Sequence, residues 1–216
     1  MAAKSRARRQ SRSERESLDA NDLLTMELQE IHSAETQLAR QLPRLSKAVE
    51  STTLREMLDE RLEEGERIIG EIESALEEID ASPGRRKNVA AEGLINDARE
   101  HVQEIERGPA LDCVLIGAIQ KTEHYCIAAW GTARALAQAL EEETAAKAME
   151  RALKEGCQYD ERLTELAEKE VTPALMSQGE DAEEMEEEED GREASADGGG
   201  RGRSQRSRRS EERASK

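Results

Sequence analysis

Four glutamates sit where a helical protein should place leucines. Leu24, Leu28, Ile31, Glu35, Leu38, Leu42, Leu45 and Val49 follow one another at alternating spacings of four and three, which puts all eight on one helix face. Met57, Arg61, Glu64 and Ile68 repeat the spacing, as do Ile116, Ile119, Glu123, Cys126, Trp130 and Ala133, and then Ala148, Ala152, Glu155 and Tyr159. An ionised carboxylate on a buried face costs several kcal/mol unless it is ion-paired or binds a metal. Glu35, Glu64, Glu123 and Glu155, one from each of four segments, are therefore candidate metal ligands. Carboxylates converging inside a helical bundle are how di-iron and di-manganese proteins hold their cations.

Two features point the other way. A complete site of this kind adds Glu-x-x-His on two helices, whereas here Glu64 is followed by Arg67 and Glu155 by Gln158. The histidines are His32, His101 and His124, and His124 lies about 100° around the helix from Glu123. Arg61 shares the seam, and its guanidinium could neutralise Glu35 or Glu64 where a metal would sit. Cys126, Cys157 and Trp130 read as core residues.

The elements that position these residues follow from the same spacing. We expect a helix over 18–49 with Pro43 near its end, a second from Ser51 and Thr52 to about 80, and a short third over 88–107. A long fourth runs from 110 to about 140 after the Gly108-Pro109 break, and a fifth from 143 to 170 stops before Pro173. No segment alternates with period two, so the fold class is all-α: an antiparallel bundle of four long helices, with the short one between the second and third. The core lacks Phe and has one Trp and two Tyr, so Leu, Ile, Ala, Val and Met must fill it.

The termini differ in composition. Residues 1–17 form a basic arm, with six Lys/Arg against two Glu in the first sixteen. Residues 173–216 form a tail in which nine of the eleven residues from Glu180 to Asp190 are acidic, followed by a Gly- and Arg/Ser-rich end. Neither can bury enough apolar area to order itself, which leaves 18–172 as the folded unit. A net charge of −17 argues against nucleic-acid binding by the bundle, leaving only weak phosphate contacts by the Arg-rich ends. The three cysteines show no CxxC or disulfide spacing, and there is no signal-peptide or membrane-length apolar run. These features point to a reduced, cytoplasmic protein with no membrane partner.

Several stretches resemble the YciE/YciF family of ferritin-like proteins. Leu28-Gln-Glu-Ile-His-Ser-Ala-Glu35-Thr-Gln-Leu38 with Gln41-Leu42-Pro43 is similar to its opening helix. Glu92-Gly93-Leu94-Ile95 is similar to its short-helix motif. Gln120-Lys-Thr-Glu123-His-Tyr-Cys126-Ile-Ala128, preceded by Asp112, resembles its most distinctive segment, and Leu163-Thr-Glu-Leu-Ala167 its ending. The resemblance spans about residues 20–170. It implies a ferritin-like bundle, a bacterial stress setting, homodimers and a di-iron, ferroxidase-type centre, with Glu35, Glu64, Glu123 and Glu155 matching the family pattern. Three departures fall at polar positions. Arg61 stands where the family has His, Cys126 where it has Glu, and Gly156 where it has the second of a Glu pair.

Two functions compete. In the first, iron held by Glu35, Glu64, Glu123 and Glu155, with Tyr125 or Tyr159 nearby, is oxidised by O₂ or peroxide. In the second, Arg61 and Cys126 have replaced ligands, and a non-catalytic bundle acts through dimerisation or partner binding.

Overall fold

The computed structural model describes residues 17–179; the expected basic arm and the acidic and Arg-rich tail lie almost wholly outside them. Five α-helices follow in order: α1 (Ala20–Ala48), α2 (Thr52–Glu78), α3 (Val89–Glu104), α4 (Pro109–Ala139) and α5 (Glu143–Leu166). There is no strand among the described residues.

The first three helices start where the sequence supplies a cap. Asp19 accepts the Asp22 N–H at 2.9 Å while Asp22 accepts the Asp19 N–H at 3.1 Å, a reciprocal box ahead of α1. The Ser51 hydroxyl accepts the Leu54 N–H at 3.2 Å and the Asn88 side chain accepts the Ala91 N–H at 3.0 Å, opening α2 and α3. Pro109, with no N–H to leave unsatisfied, stands at the start of α4.

The four long helices form a ring in the order α1, α2, α5, α4, with α3 laid across the α1–α4 side. Buried Asp112, near the start of α4, ties the ring shut at one end by accepting the N–H groups of Glu50 at 2.9 Å and Ser51 at 2.7 Å. The turn between α1 and α2 thus draws its hydrogen bonds from another helix. Asn88 joins α3 to the bundle. Its side chain donates to Tyr125 on α4 and to the Glu30 carbonyl on α1, its backbone N–H donates to the Ser33 hydroxyl, and its carbonyl accepts from Gln37.

The all-α bundle expected from periodicity is the structure observed. One boundary differs: α5 ends at Leu166, but helical backbone does not stop before Pro173. A π-helical turn over Ala167–Val171 follows it, with the Thr172 N–H bonded to the Ala167 carbonyl, and helical backbone is present over 172–179. Proline lacks the N–H that an α-helix would use there, and the wider turn shifts the bonding immediately before it. None of the described helices is long and apolar enough to cross a membrane.

A candidate site built on a buried ion triad

The helix seams bring Glu35 from α1, Arg61 from α2 and Glu123 from α4 to one place midway along the bundle. Glu35 and Arg61 are 0% exposed and Glu123 is 1%. Arg61 Nη2 donates to both Glu35 oxygens at 3.1 Å, and its Nε donates to Glu123 Oε2 at 2.9 Å. The flat guanidinium can hold a carboxylate on each of two edges, a geometry an ammonium cannot reproduce. The Trp130 ring lies over it, with Arg61 Cζ 5.7 Å from the ring centroid, within reach of a cation–π contact.

The electrostatics follow from this arrangement. Burial works against the Arg61 charge, but Glu35 and Glu123 outweigh it and hold the guanidinium protonated. Burial pushes the Glu123 carboxyl above the ordinary carboxylate range, with Arg61 pulling it back. Burial, reinforced by Glu35 and Glu123, also pushes the Cys126 thiol well up, so Cys126 stays a neutral thiol rather than a thiolate ligand. Buried Tyr159 is held in its phenol form for the same leading reason. Arg61 Nη1, Glu123 Oε1, Trp130 Nε1 and Tyr159 OH are buried with no hydrogen-bond partner among the described residues.

Glu64 and Glu155 lie outward of the triad, within electrostatic reach of each other and, for Glu64, of Arg61 and Glu123. Both are half-buried. Glu155 pairs with Arg67 of α2 on the α2–α5 side, where Arg67 also reaches Glu71 at 3.2 Å and Arg151 reaches Glu71 at 2.7 Å. Glu64 makes no hydrogen bond or ion pair among the described residues. Burial raises its pKa, opposed by Arg61 and assisted by Glu155.

The residues that do occupy the seams at these two levels are Gly65 and Gly156, both buried. On α2 the inward series is Met57, Arg61, Gly65, Ile68, Ile72 rather than one passing through Glu64. On α5 it is Ala148, Ala152, Gly156, Tyr159. Both spacings satisfy a 3.6-residue period, and a pattern of apolar residues gives glycine no weight. Yet both glycines serve the triad. A Cβ at Gly156 would lie 2.3 Å from Trp130 Cζ3 and 2.7 Å from Glu123 Oε1, and one at Gly65 would lie 3.1 Å from Arg61 Nη1 and 3.3 Å from Glu35 Oε2. The bare backbone is what lets the charged heads and the indole fit. The histidines are also away from the triad: His32 faces Glu73 at 2.9 Å, His101 faces Asp97 at 3.8 Å and His124 faces Asp160 at 3.3 Å.

A dinuclear iron centre, which the resemblance implies, does not fit this donor set. The point facing Glu35 and Glu123 is taken by the Arg61 guanidinium. Position 156 carries no side chain, and its Cβ position is crowded by Trp130. Among the described residues no three His, Cys, Asp or Glu side chains are grouped to hold a metal.

Comparison with known proteins agrees with the fold and places the chain. The profile of a family described as a domain of unknown function (DUF892) matches residues 19–176. Protein YciF of Escherichia coli K12 is 39% identical over 141 residues, which is 65% of this chain and 85% of the relative. The crystal structure of the E. coli stress protein YciF superposes with a TM-score of 0.69 at 36% identity, covering 72% of this chain and 99% of that one. YcfI of Rhodopseudomonas palustris superposes at 0.66 and 28% identity, covering 70% and 96%. With a family profile that matches residues 19–176 and 39% identity to a relative of which it covers 85%, the chain belongs to the YciE/YciF family.

Proposed function

We propose that this chain is a YciF-type stress protein that works as a helical scaffold, through association with a second copy or another protein, and not as a ferroxidase. One observation carries this reading. Among the described residues, the only side-chain cation at the buried carboxylate pair is Arg61, bonded to both acids. Bringing a divalent ion there means expelling a fully buried, hydrogen-bonded guanidinium. The homodimer and the cytoplasmic setting expected from the sequence belong to the same proposal.

Anaerobic Fe(II) titration of chelator-free protein, with elemental analysis and a thermal melt, tests it. The expected result is substoichiometric iron, an unchanged Tm and no acceleration of Fe(II) oxidation when O₂ is admitted. One or more equivalents of iron with a raised Tm would overturn it. Light scattering on a sizing column checks the dimer.

A second reading has a specific observation behind it. Glu123 Oε1 is unpartnered and Glu64 lacks an ion pair, which leaves carboxylate oxygens for a single cation beside Arg61. The same titration separates the two.

A further inference from the structure

Arg40, Arg44 and Lys47 follow one another at spacings of four and three along α1, and all three are exposed. That spacing stacks them on one face, opposite the buried series Leu38, Leu42, Leu45 and Val49. None of the three makes a hydrogen bond or ion pair among the described residues. Elsewhere exposed bases find acids: Lys121 meets Asp97 at 3.1 Å, Lys147 meets Glu143 at 2.7 Å and Arg162 meets Glu60 at 2.7 Å. In a chain with 49 acids against 32 Lys and Arg, three neighbouring bases without a partner are not what composition predicts.

The helix dipole accounts for only one of them. A helix C-terminus favours cations within its last turn; Lys47 is in that turn, whereas Arg40 is about two turns earlier. The stripe is about 10 Å long and one helix wide, and the stretch from Thr36 to Val49 holds no acid. Acids stand on both neighbouring helices: Asp59, bonded to Ser46, and Glu63 a turn further along α2, with Glu100 and Glu104 exposed on α3. Their charge repels a broad polyanion such as duplex DNA or an anionic membrane, which would cover the flanks together with the stripe. A single helix with carboxylates repeating every three and four residues meets the bases alone. Exposed Pro43, between Arg40 and Arg44, adds an apolar contact.

We infer that the outer face of α1 over residues 40–47 is a docking surface for an acidic helical segment of another protein, recognised by Arg40, Arg44 and Lys47. This rests on the scaffold reading and names its partner by chemistry. The net charge of −17 opposes an acidic ligand at long range, but salt screens that repulsion beyond about 8–10 Å, so contacts at the stripe decide.

The probe is a labelled alanine-based peptide of about 18 residues with glutamates at alternating spacings of four and three, long enough to form a helix. Its binding to the full chain is read by fluorescence anisotropy in about 0.1 M and about 0.5 M salt. Wild type should bind it, more weakly in the higher salt. Arg40→Glu/Arg44→Glu/Lys47→Glu should weaken binding at least about tenfold and should accept the lysine version of the peptide. Arg85→Glu/Arg107→Glu/Lys154→Glu makes the same charge change at exposed bases elsewhere and should stay within about twofold of wild type. Should the first variant fail to fold, Arg40→Gln/Arg44→Gln/Lys47→Gln gives the same loss with no new charge. Wild type that ignores the peptide overturns the inference, as does an equal loss in the second variant, which would make net charge the cause. A scrambled peptide of the same composition that binds as well, or duplex DNA that binds more tightly, also overturns it. A dimer that dissociates in the first variant on a sizing column makes a second copy the occupant and overturns it too. The Fe(II) titration is independent of all these readouts, so failure here leaves the scaffold reading standing.

Discussion

Gly156→Ala should be among the most damaging one-carbon additions in this protein. On an exposed helix the change is favourable by about 1 kcal/mol, because alanine loses less backbone entropy. At position 156 the added methyl meets Trp130 Cζ3 at 2.3 Å and Glu123 Oε1 at 2.7 Å, both well inside contact distance. Neither neighbour is free to yield. Trp130 is 1% exposed and stacked over Arg61, and Glu123 is held by Arg61 Nε at 2.9 Å. Shifting either one disturbs the triad as well as the packing, so overpacking and a loosened ion pair act together. We expect a net loss of about 2–4 kcal/mol, which for a domain of this size lowers Tm by about 5–15 °C. Urea unfolding should give a lower midpoint with an unchanged slope, followed by circular dichroism and by emission from the single tryptophan. Gly70→Ala is the control. No heavy atom lies within 4 Å of its added Cβ, and the variant should gain about 0.5–1 kcal/mol. Trp130→Leu in the Gly156→Ala background should recover part of the loss, a non-additive result. A Gly156→Ala protein as stable as wild type, with unshifted emission, would refute the account of the glycine and with it the rigidity assigned to the triad.

Other expectations follow from the same contacts. Asp112→Ala removes the acceptor of two backbone N–H groups at the α1–α2 turn. It should cost about 2–4 kcal/mol in urea unfolding and speed amide exchange at Glu50 and Ser51; unchanged exchange there would show that the turn is held otherwise. Glu123 has its pKa raised chiefly by burial, so the folded state holds that proton more tightly than the unfolded chain. Its contribution to stability is largest at low pH and declines as pH rises through and above the ordinary carboxylate range. Glu123→Gln has no such dependence, so its Tm measured against wild type should improve from pH 5 to pH 8; a constant difference would show that Glu123 does not titrate in this way. Asn88→Ala removes the cap of α3 and its ties to Tyr125 and the Glu30 carbonyl, and should cost about 2–3 kcal/mol and weaken exchange protection in α3 first. Uniform loss across all five helices would instead mean that α3 does not open by itself.

The bundle was legible in the sequence because its signals agree at several levels. Ser51 and Pro109 mark helix starts by chemistry that needs no tertiary contact, and the α1 series from Leu24 to Val49 is buried throughout. Glu35 and Glu123 were legible as anomalies for the same reason: each interrupts an unbroken apolar series. Glu64 and Glu155 are half-buried beside the buried Gly65 and Gly156, and a hydrophobic pattern gives glycine no weight, so the polar neighbour was given the seam position. No helical spacing says which acids an arginine will choose. Arg61 takes Glu35 and Glu123, while Glu64 stays nearer the surface. The continuation past Pro173 was hidden because a π turn leaves no compositional trace.

The interior is split lengthwise into two apolar clusters. One is centred on Leu42, Leu54, Leu115 and Leu163, the other on Leu28, Ile72, Trp130 and Met149, and the charged layer lies between them. Hydrocarbon packs nearly as well against hydrocarbon one turn higher or lower, so a bundle of leucines and alanines alone would tolerate sliding. Moving any one of α1, α2 or α4 by a turn would push a carboxylate or guanidinium into one of these oily compartments with nothing to meet it. The same three side chains thus act as an alignment key, excluding misaligned stackings of a low-aromatic core that has few bulky shapes to do so.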